Sequence, residues 1–429
     1  VSLLAPRGRR SRPSVSTDRG VASRALHCSA LLACVLSTAC GKTVDSIGDD
    51  RLVEPHLRPL AGPASYPNPA RDVLGLSDAE ISAKLEATYA QLFHGDPTTE
   101  AIYYEWGTDQ AYVWDVLHGD VRTEGMALGM LISVELDKRD EFDRLWRYAK
   151  DVLLHTSGPN EGFFSSFCGQ EDGDPCSDPY GQQQLATALL FAHGRWGSAG
   201  DIDYEADTLS VLEALRREEA ASEEAASTFV SMFDPVTKLV RDVPEATSLG
   251  VTRPSSVMPA YYELWAQATA DTFWSDAAAS GRSFLANAAD ASTGLLPLRA
   301  TFDGAALSGS DTFEPEGYRA QINIGLDAVW FDDPWARAEN DRLLEFFFSQ
   351  GIDVYGRSYT LAGELIDASR EPPLIYVNGV TAIGAGHAAR NAFIEAAWNL
   401  EQPTGFPRYY SGLLHLVSLL ALSGNLRVY

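Results

Sequence analysis

From about residue 77 to the C-terminus, apolar residues recur at spacings of three and four. That period belongs to amphipathic helices, not to strands. It marks helical stretches near 77–93, 124–136, 140–154, 182–194, 203–217, 255–268, 271–288, 317–331, 334–349, 379–398 and 411–422. The first opens on Ser77-Asp78-Ala79-Glu80, a capping box in which two side chains satisfy each other's free backbone N–H groups. Strand-like runs are few and short, at 239–243 and 358–361. The chain therefore reads as all-α. No fixed-period repeat is visible, which argues against a simple solenoid. Loops rich in Gly, Pro, Asp and aromatic residues precede alternate helices. That alternation suits a double ring of helices whose inner ends form a cleft.

A chain of 429 residues with 45% hydrophobic side chains can bury a large core. Its formal net charge is −26. Residues 1–40 hold six arginines and one aspartate, a surplus of five positive charges, which leaves −31 for the rest. Such a body repels nucleic acid and anionic lipid. Neutral glycans are unaffected by that field. The first segment reads as an export signal: arginines (Arg7, Arg9, Arg10, Arg12, Arg19, Arg24) precede an apolar run, 26–39, too short to span a bilayer. It ends at Cys40 in a near-match to a lipoprotein cleavage site. This predicts an exported bacterial protein, periplasmic or on the outer surface, with Cys40 a candidate lipid anchor. Residues 41–70 are polar and proline-rich and read as a tether. Residues 71–429 then form the folded domain. Cys168 and Cys176 lie close together, and an exported chain permits a disulfide between them; two free thiols are the alternative. No Cys/His cluster has metal-ligand spacing, so neither metal nor cofactor is expected.

One acid stands out. In Val121-Arg122-Thr123-Glu124-Gly125-Met126, Glu124 follows an arginine and opens an apolar helix. Taken locally, it is a helix-start glutamate favoured by the dipole. It is also what a glycosidase needs at the floor of a sugar cleft, where paired carboxylates protonate the leaving oxygen and activate water. Arg122 opposes retention of a proton there, so its charge must be absorbed by acids such as Asp115 or Asp120.

Four blocks in order resemble glycoside hydrolase family 8, and most closely its reducing-end xylose-releasing exo-oligoxylanases. They are the Glu124 block with Glu141-Phe142-Asp143-Arg144-Leu145-Trp146; Ala188-Leu189-Leu190-Phe191-Ala192 with Arg195-Trp196-Gly197; Tyr318-Arg319 with Asn323-Ile324-Gly325-Leu326-Asp327; and Arg408-Tyr409-Tyr410 with Leu422-Ser423-Gly424-Asn425. The resemblance implies an (α/α)6 barrel and inverting hydrolysis of β-1,4-linked glycans, xylo-oligosaccharides first among them. It makes Glu124 the general acid. It places the general base three residues before Arg319, at Glu316, where close relatives carry aspartate; Asp327 and Glu314 are the alternatives.

Other positions depart from the family pattern. A third, sugar-binding acid falls at Tyr180, with Asp178 two residues away as a substitute. A stacking tryptophan falls at Ser166, with Phe163, Phe164 or Phe167 available to replace its face. A tyrosine that would hold the attacking water falls at Ser256. A loop histidine that walls off the cleft in the exo-enzymes falls at Tyr376. Tyr103, Tyr104, Trp106, Tyr112 and Trp114 cluster upstream of the acid, either as sugar platforms or as packing. Arg319, Tyr180, Asp178, Tyr376, Trp114 and Asp115 are thus the substrate-binding candidates. Trp146, Trp196, Trp265 and Trp330 read as core, and His118, His155, His193, His387 and His415 as structural. The competing reading is a catalytically weak glycan-binding protein on the same scaffold.

Overall fold

Inner and outer helices differ in how much of their surface is apolar. The helix α3 (Thr123–Glu135) buries every residue but Glu124, and α13 (Tyr410–Leu422) every residue but Tyr410. Helices apolar all round must be enclosed by others. By contrast, α4 (Arg139–Tyr148) buries only Phe142, Leu145, Trp146 and Tyr148 and turns its charges outward. A computed structural model describes residues 56–158, 160–168, 177–217 and 230–429.

The remaining helices are α1 (Pro69–Asp72), α2 (Asp78–His94), α5 (Pro179–Trp196), α6 (Tyr204–Arg216), α7 (Pro259–Thr269), α8 (Thr272–Ala288), α9 (Arg319–Trp330), α10 (Pro334–Gln350), α11 (Pro372–Ile383) and α12 (Arg390–Trp398). The odd-numbered helices from α3 to α13 pack one on the next, and α13 closes back onto α3. This is a complete inner ring of six. Of the even-numbered helices, α4, α6, α8, α10 and α12 lean on α3, α5, α7, α9 and α11, and α2 leans on α13. The fold is an (α/α)6 barrel. The capping box that opens α2 is present, Ser77 N–H donating to Glu80 at 2.8 Å and Glu80 N–H to Ser77 Oγ at 3.3 Å.

Three local expectations change. The single helix expected at 379–398 is two, α11 and α12, because the chain turns from inner to outer ring at 384–389; Gly386 N–H is held there by Asp341 Oδ1 at 2.7 Å. The run 239–243 forms only an isolated bridge, Val240 to Phe233. Beside the start of α3 lies an unexpected antiparallel sheet of β1 (Tyr103–Trp106), β2 (Gln110–Asp115) and β3 (Asp120–Arg122), which precede the helix, and β4 (Phe167–Cys168), which follows it, paired in that order. In β2 the buried residues alternate, Ala111, Val113 and Asp115, a period of two that a helical reading overlooks. The run at 358–361 is a strand, β8 (Ser358–Thr360), between β7 (Thr312–Phe313) and β9 (Leu365–Asp367).

Residues 56–70, the later part of the expected tether, lie against the barrel. Leu57 is buried, Arg58 N–H donates to the Ala268 carbonyl at 2.8 Å, and Tyr66 Oη accepts from Val428 N–H at 2.8 Å. The expected export signal, Cys40 and residues 41–55 lie outside the described residues. So does Cys176, and with it the Cys168–Cys176 pair.

Candidate functional site

All six inner helices turn their N-terminal ends to the same cleft, of about 640 Å³. Its lining includes Arg122 and Glu124 from the start of α3, Asp178 before α5, Ser256 before α7, Glu316 and Arg319 at α9, Glu371 before α11, and Tyr409 and Tyr410 at α13. Helix N-termini expose unpaired N–H groups and a partial positive charge. Six together favour carboxylates and electron-rich oxygens in the space they enclose.

Glu124 is the second residue of α3, and its side chain is mostly buried. It is ion-paired to the Arg319 guanidinium, from the first position of α9. On its other side Arg319 lies over the Tyr180 ring, 4.3 Å from the centroid. Asp178 caps α5, accepting from Tyr180 N–H at 3.0 Å and Gly181 N–H at 3.1 Å. Gly181 allows this meeting. A Cβ there would sit 2.8 Å from the backbone nitrogen of Glu124, so the first turn of α5 can rest directly on the start of α3. Burial, and then the charge of Glu124, push Asp178 above the usual carboxylate range, against the pull of Arg319 and the two capping N–H groups.

The charge of Arg122 is absorbed as expected. Its Nε lies 2.9 Å from Asp120 and 3.2 Å from Asp115. Asp115 is buried and also accepts from Leu117 N–H at 2.9 Å and binds His118 Nδ1 at 2.7 Å. His118, read as structural in the sequence, is held by Asp115 and also lines the cleft. Gly125 leaves room for Tyr409, whose Oη would lie 2.6 Å from an added Cβ. Tyr410 Oη donates to the Pro315 carbonyl at 2.8 Å and so ties α13 to the turn that carries Glu316. Glu316 lines the cleft with a side chain 72% exposed, beside Arg253 at 3.6 Å.

Of the residues singled out in the sequence, Glu124, Glu316, Arg319, Asp178 and Asp115 meet in this cleft. Tyr180 lies beneath it, under Arg319. Trp114 does not line it; it stands on β2 against Tyr112, ring centroids 6.1 Å apart. Tyr104 and Tyr112 likewise stack on each other. Tyr376 is not a wall. It is buried inside α11 and stacked on His415 at 4.5 Å, because the segment read as a loop continues the inner ring. Asp327 is bound by Arg282 at 2.8 and 2.6 Å, deep in α9, and Glu314 accepts from Thr312 Oγ1 at 2.8 Å outside the cleft lining. Phe167 lines the cleft beside Ser166, whereas Phe163 and Phe164 are core. Trp146, Trp265 and Trp330 are buried as expected, and Trp196 is half-buried.

Several lining residues lie outside the motifs of the sequence. Phe406 stands 70% exposed at the cleft. Its place in Gly405-Phe406-Pro407, just before the Arg408-Tyr409-Tyr410 block, was the available clue. Asp242, Arg253 and Glu371 also contribute. Chemically the cleft offers carboxylates on separate helix ends, Glu124, Asp178 and Glu316 among them, a guanidinium bound to Glu124, and aromatic faces.

The model of glycosyl hydrolases family 8 matches residues 118–424. The chain belongs to that family. Among family 8 members, it is 36% identical over 370 residues to a reducing-end xylose-releasing exo-oligoxylanase of Paenibacillus barcinonensis, covering 83% of this chain and 94% of that protein. A family 8 structure from Teredinibacter turnerae, in complex with xylobiose, superposes with a TM-score of 0.78 at 32% identity, covering 84% of this chain and 97% of that one. A more distant relative, 25% identical over 370 residues (84% of this chain, 75% of that protein), is an endoglucanase of Ruminiclostridium josui. The protein is thus a glycoside hydrolase on a family 8 barrel.

Proposed function

We propose that this protein hydrolyses β-1,4-linked xylo-oligosaccharides with inversion, Glu124 acting as general acid and Glu316 as general base. The observation that carries the assignment is the meeting of these two carboxylates in one cleft, with Arg319 bound to Glu124. Glu124 gives a proton to the departing glycosidic oxygen. Glu316 takes one from the water that attacks the opposite face of the sugar, so the anomeric centre inverts. Glu124 and Asp178 face one guanidinium, and burial together with the neighbouring charge of Glu124 raises Asp178 above the usual carboxylate range, against the pull of Arg319. The helix N-termini favour the negative charge left behind.

Likeness to the exo-oligoxylanases supports xylose release from the reducing end. Tyr376 does not block the cleft; among the described residues Leu117, His118 and Phe406 line it and are the candidates to shape its ends. Export through residues 1–40, with attachment at Cys40, belongs to the same proposal and is checked by the mass of the mature protein.

The test is product analysis on xylo- and cello-oligosaccharides, with the anomer followed by NMR. Xylose released with inverted configuration, and abolished by Glu124→Gln, is the expected result. Oligosaccharide binding without any product from either series would favour a glycan-binding role. Undiminished turnover in Glu124→Gln would remove the acid assignment.

A further inference from the structure

The carboxylate of Glu316 is poorly held for a catalytic base. It sits on a single 3-10 turn, Pro315–Gly317. Its side chain is 72% exposed, and no hydrogen bond from the backbone or from a hydroxyl reaches it among the described residues. Beyond it lies a second hollow of about 170 Å³, lined by Arg253, Ser255, Leu298, Arg299, Ser310 and Glu316. A glutamate with three side-chain torsions between two cavities has many rotamers open to it. Its ion-pair partner among the described residues is Arg253, Nη1 at 3.6 Å.

Arg253 itself is well anchored. Its Nε is bound by Asp242, whose side chain is only 8% exposed. The other oxygen of Asp242 takes Arg299 Nε at 3.0 Å. Backbone bonds support the same strand of contacts: Asp242 N–H donates to the Val251 carbonyl at 2.9 Å, and β5 (Val251–Thr252) pairs with β6 (Ala300–Thr301), next to Arg299. The order Arg299, Asp242, Arg253, Glu316 is therefore a row of alternating charges running from a fixed sheet to a free carboxylate.

We infer that Arg253 is the positioning residue for Glu316, held in place by Asp242, and that this clamp sets the base over the attacking water. This rests on the proposed role of Glu316. A longer acid than the aspartate of close relatives reaches further and swings more widely, and a fixed guanidinium restricts the swing. Arg253 acts on the base and not on the sugar, so its removal should lower kcat and leave KM nearly unchanged. Misplacement of a reacting group by about 1 Å costs on the order of a hundredfold in rate.

The experiment is steady-state kinetics on a xylo-oligosaccharide with the full chain and the variants Arg253→Met, Arg253→Lys, Asp242→Asn and the double variant Asp242→Asn/Arg253→Met. Thermal melting confirms that each is folded. We expect kcat to fall about ten- to a hundredfold in Arg253→Met, with KM within about twofold, and to be partly restored in Arg253→Lys. Asp242→Asn should lower kcat alone but add nothing in the Arg253→Met background, because contacting residues in one relay are not additive. A folded Arg253→Met enzyme with kcat within twofold of the parent overturns the inference, as does a rise in KM at constant kcat. If the Met variant does not fold, kcat within twofold of the parent in both Arg253→Lys and Asp242→Asn overturns it. Failure of the underlying reading looks different: Glu316→Gln would then keep full turnover, whatever Arg253 does.

Discussion

Arg319 and Glu124, 195 residues apart in sequence, are ion-paired across the mouth of the inner ring, each in the first turn of its helix. The pair is largely shielded from solvent, with side-chain exposures of 9% and 18%. Asp178 looks onto both from a third helix end. Most of what the cleft can do chemically follows from this group of three.

Asp178→Asn should separate charge from structure. Asparagine caps a helix about as well as aspartate, whereas alanine costs about 1 kcal/mol. The Asn variant should therefore fold and melt normally, yet lose about tenfold or more in kcat, a cost within the range of a group that assists proton transfer. Kinetics alongside a melting curve decide the matter. Parental turnover in the Asn variant would make Asp178 a cap only.

Gly181→Ala should damage stability and activity together. The new Cβ meets backbone atoms of Thr123 and Glu124 at 2.9 and 2.8 Å, and backbone cannot swing aside as a side-chain tip can. Overpacking of this kind costs about 1–3 kcal/mol. Chemical denaturation should show a lower midpoint, and kcat should drop because α5 is pushed off the catalytic end of α3. Unchanged values of both would mean that the two helices are less closely seated.

Phe406→Ala should weaken binding more than chemistry. Its ring is 70% exposed at the cleft, and an aromatic face suits the apolar face of a pyranose. We expect KM for longer xylo-oligosaccharides to rise about tenfold, equivalent to about 1.4 kcal/mol, with kcat nearly constant. An equal KM across a ladder of substrate lengths would show that no sugar rests on Phe406.

Glu339 offers a test of stability against pH, away from the cleft. It is fully buried in α10, and burial pushes its carboxyl up to about 7 from an ordinary 4.5, with Arg342 pulling the other way. The folded state thus binds this proton more tightly than the unfolded chain. Its stabilisation is complete below about pH 4.5 and is lost as pH rises through about 7. In Glu339→Gln that loss is absent. The variant should gain on the parent between pH 4.5 and 8, by up to about 3 kcal/mol. Melting temperatures across that range are the measurement, and a difference that does not vary with pH would contradict the burial argument.

The twelve ring helices were largely legible in the sequence, because a period of 3.6 is local and repeats within each segment. Glu124 was legible for a related reason: Arg-Thr-Glu-Gly-Met places an acid at a helix start with a glycine behind it, and that glycine is where Tyr409 seats. The sheet beside the start of α3 was less visible, since its strands are short and its aromatic residues also suit sugar platforms. Tyr376 shows the reverse error, a residue read as a loop wall that tertiary packing encloses within α11.

Local sequence determined which segments are helical, which faces are apolar, and that an acid opens α3. Only the closed ring decided which acids share a cleft, that Arg319 reaches Glu124, that Tyr180 lies beneath that arginine, and that Arg253 faces Glu316. The physical reason is range. Helix period and capping are set by neighbours within about four residues, whereas each of these meetings joins separate elements that only the tertiary fold brings together.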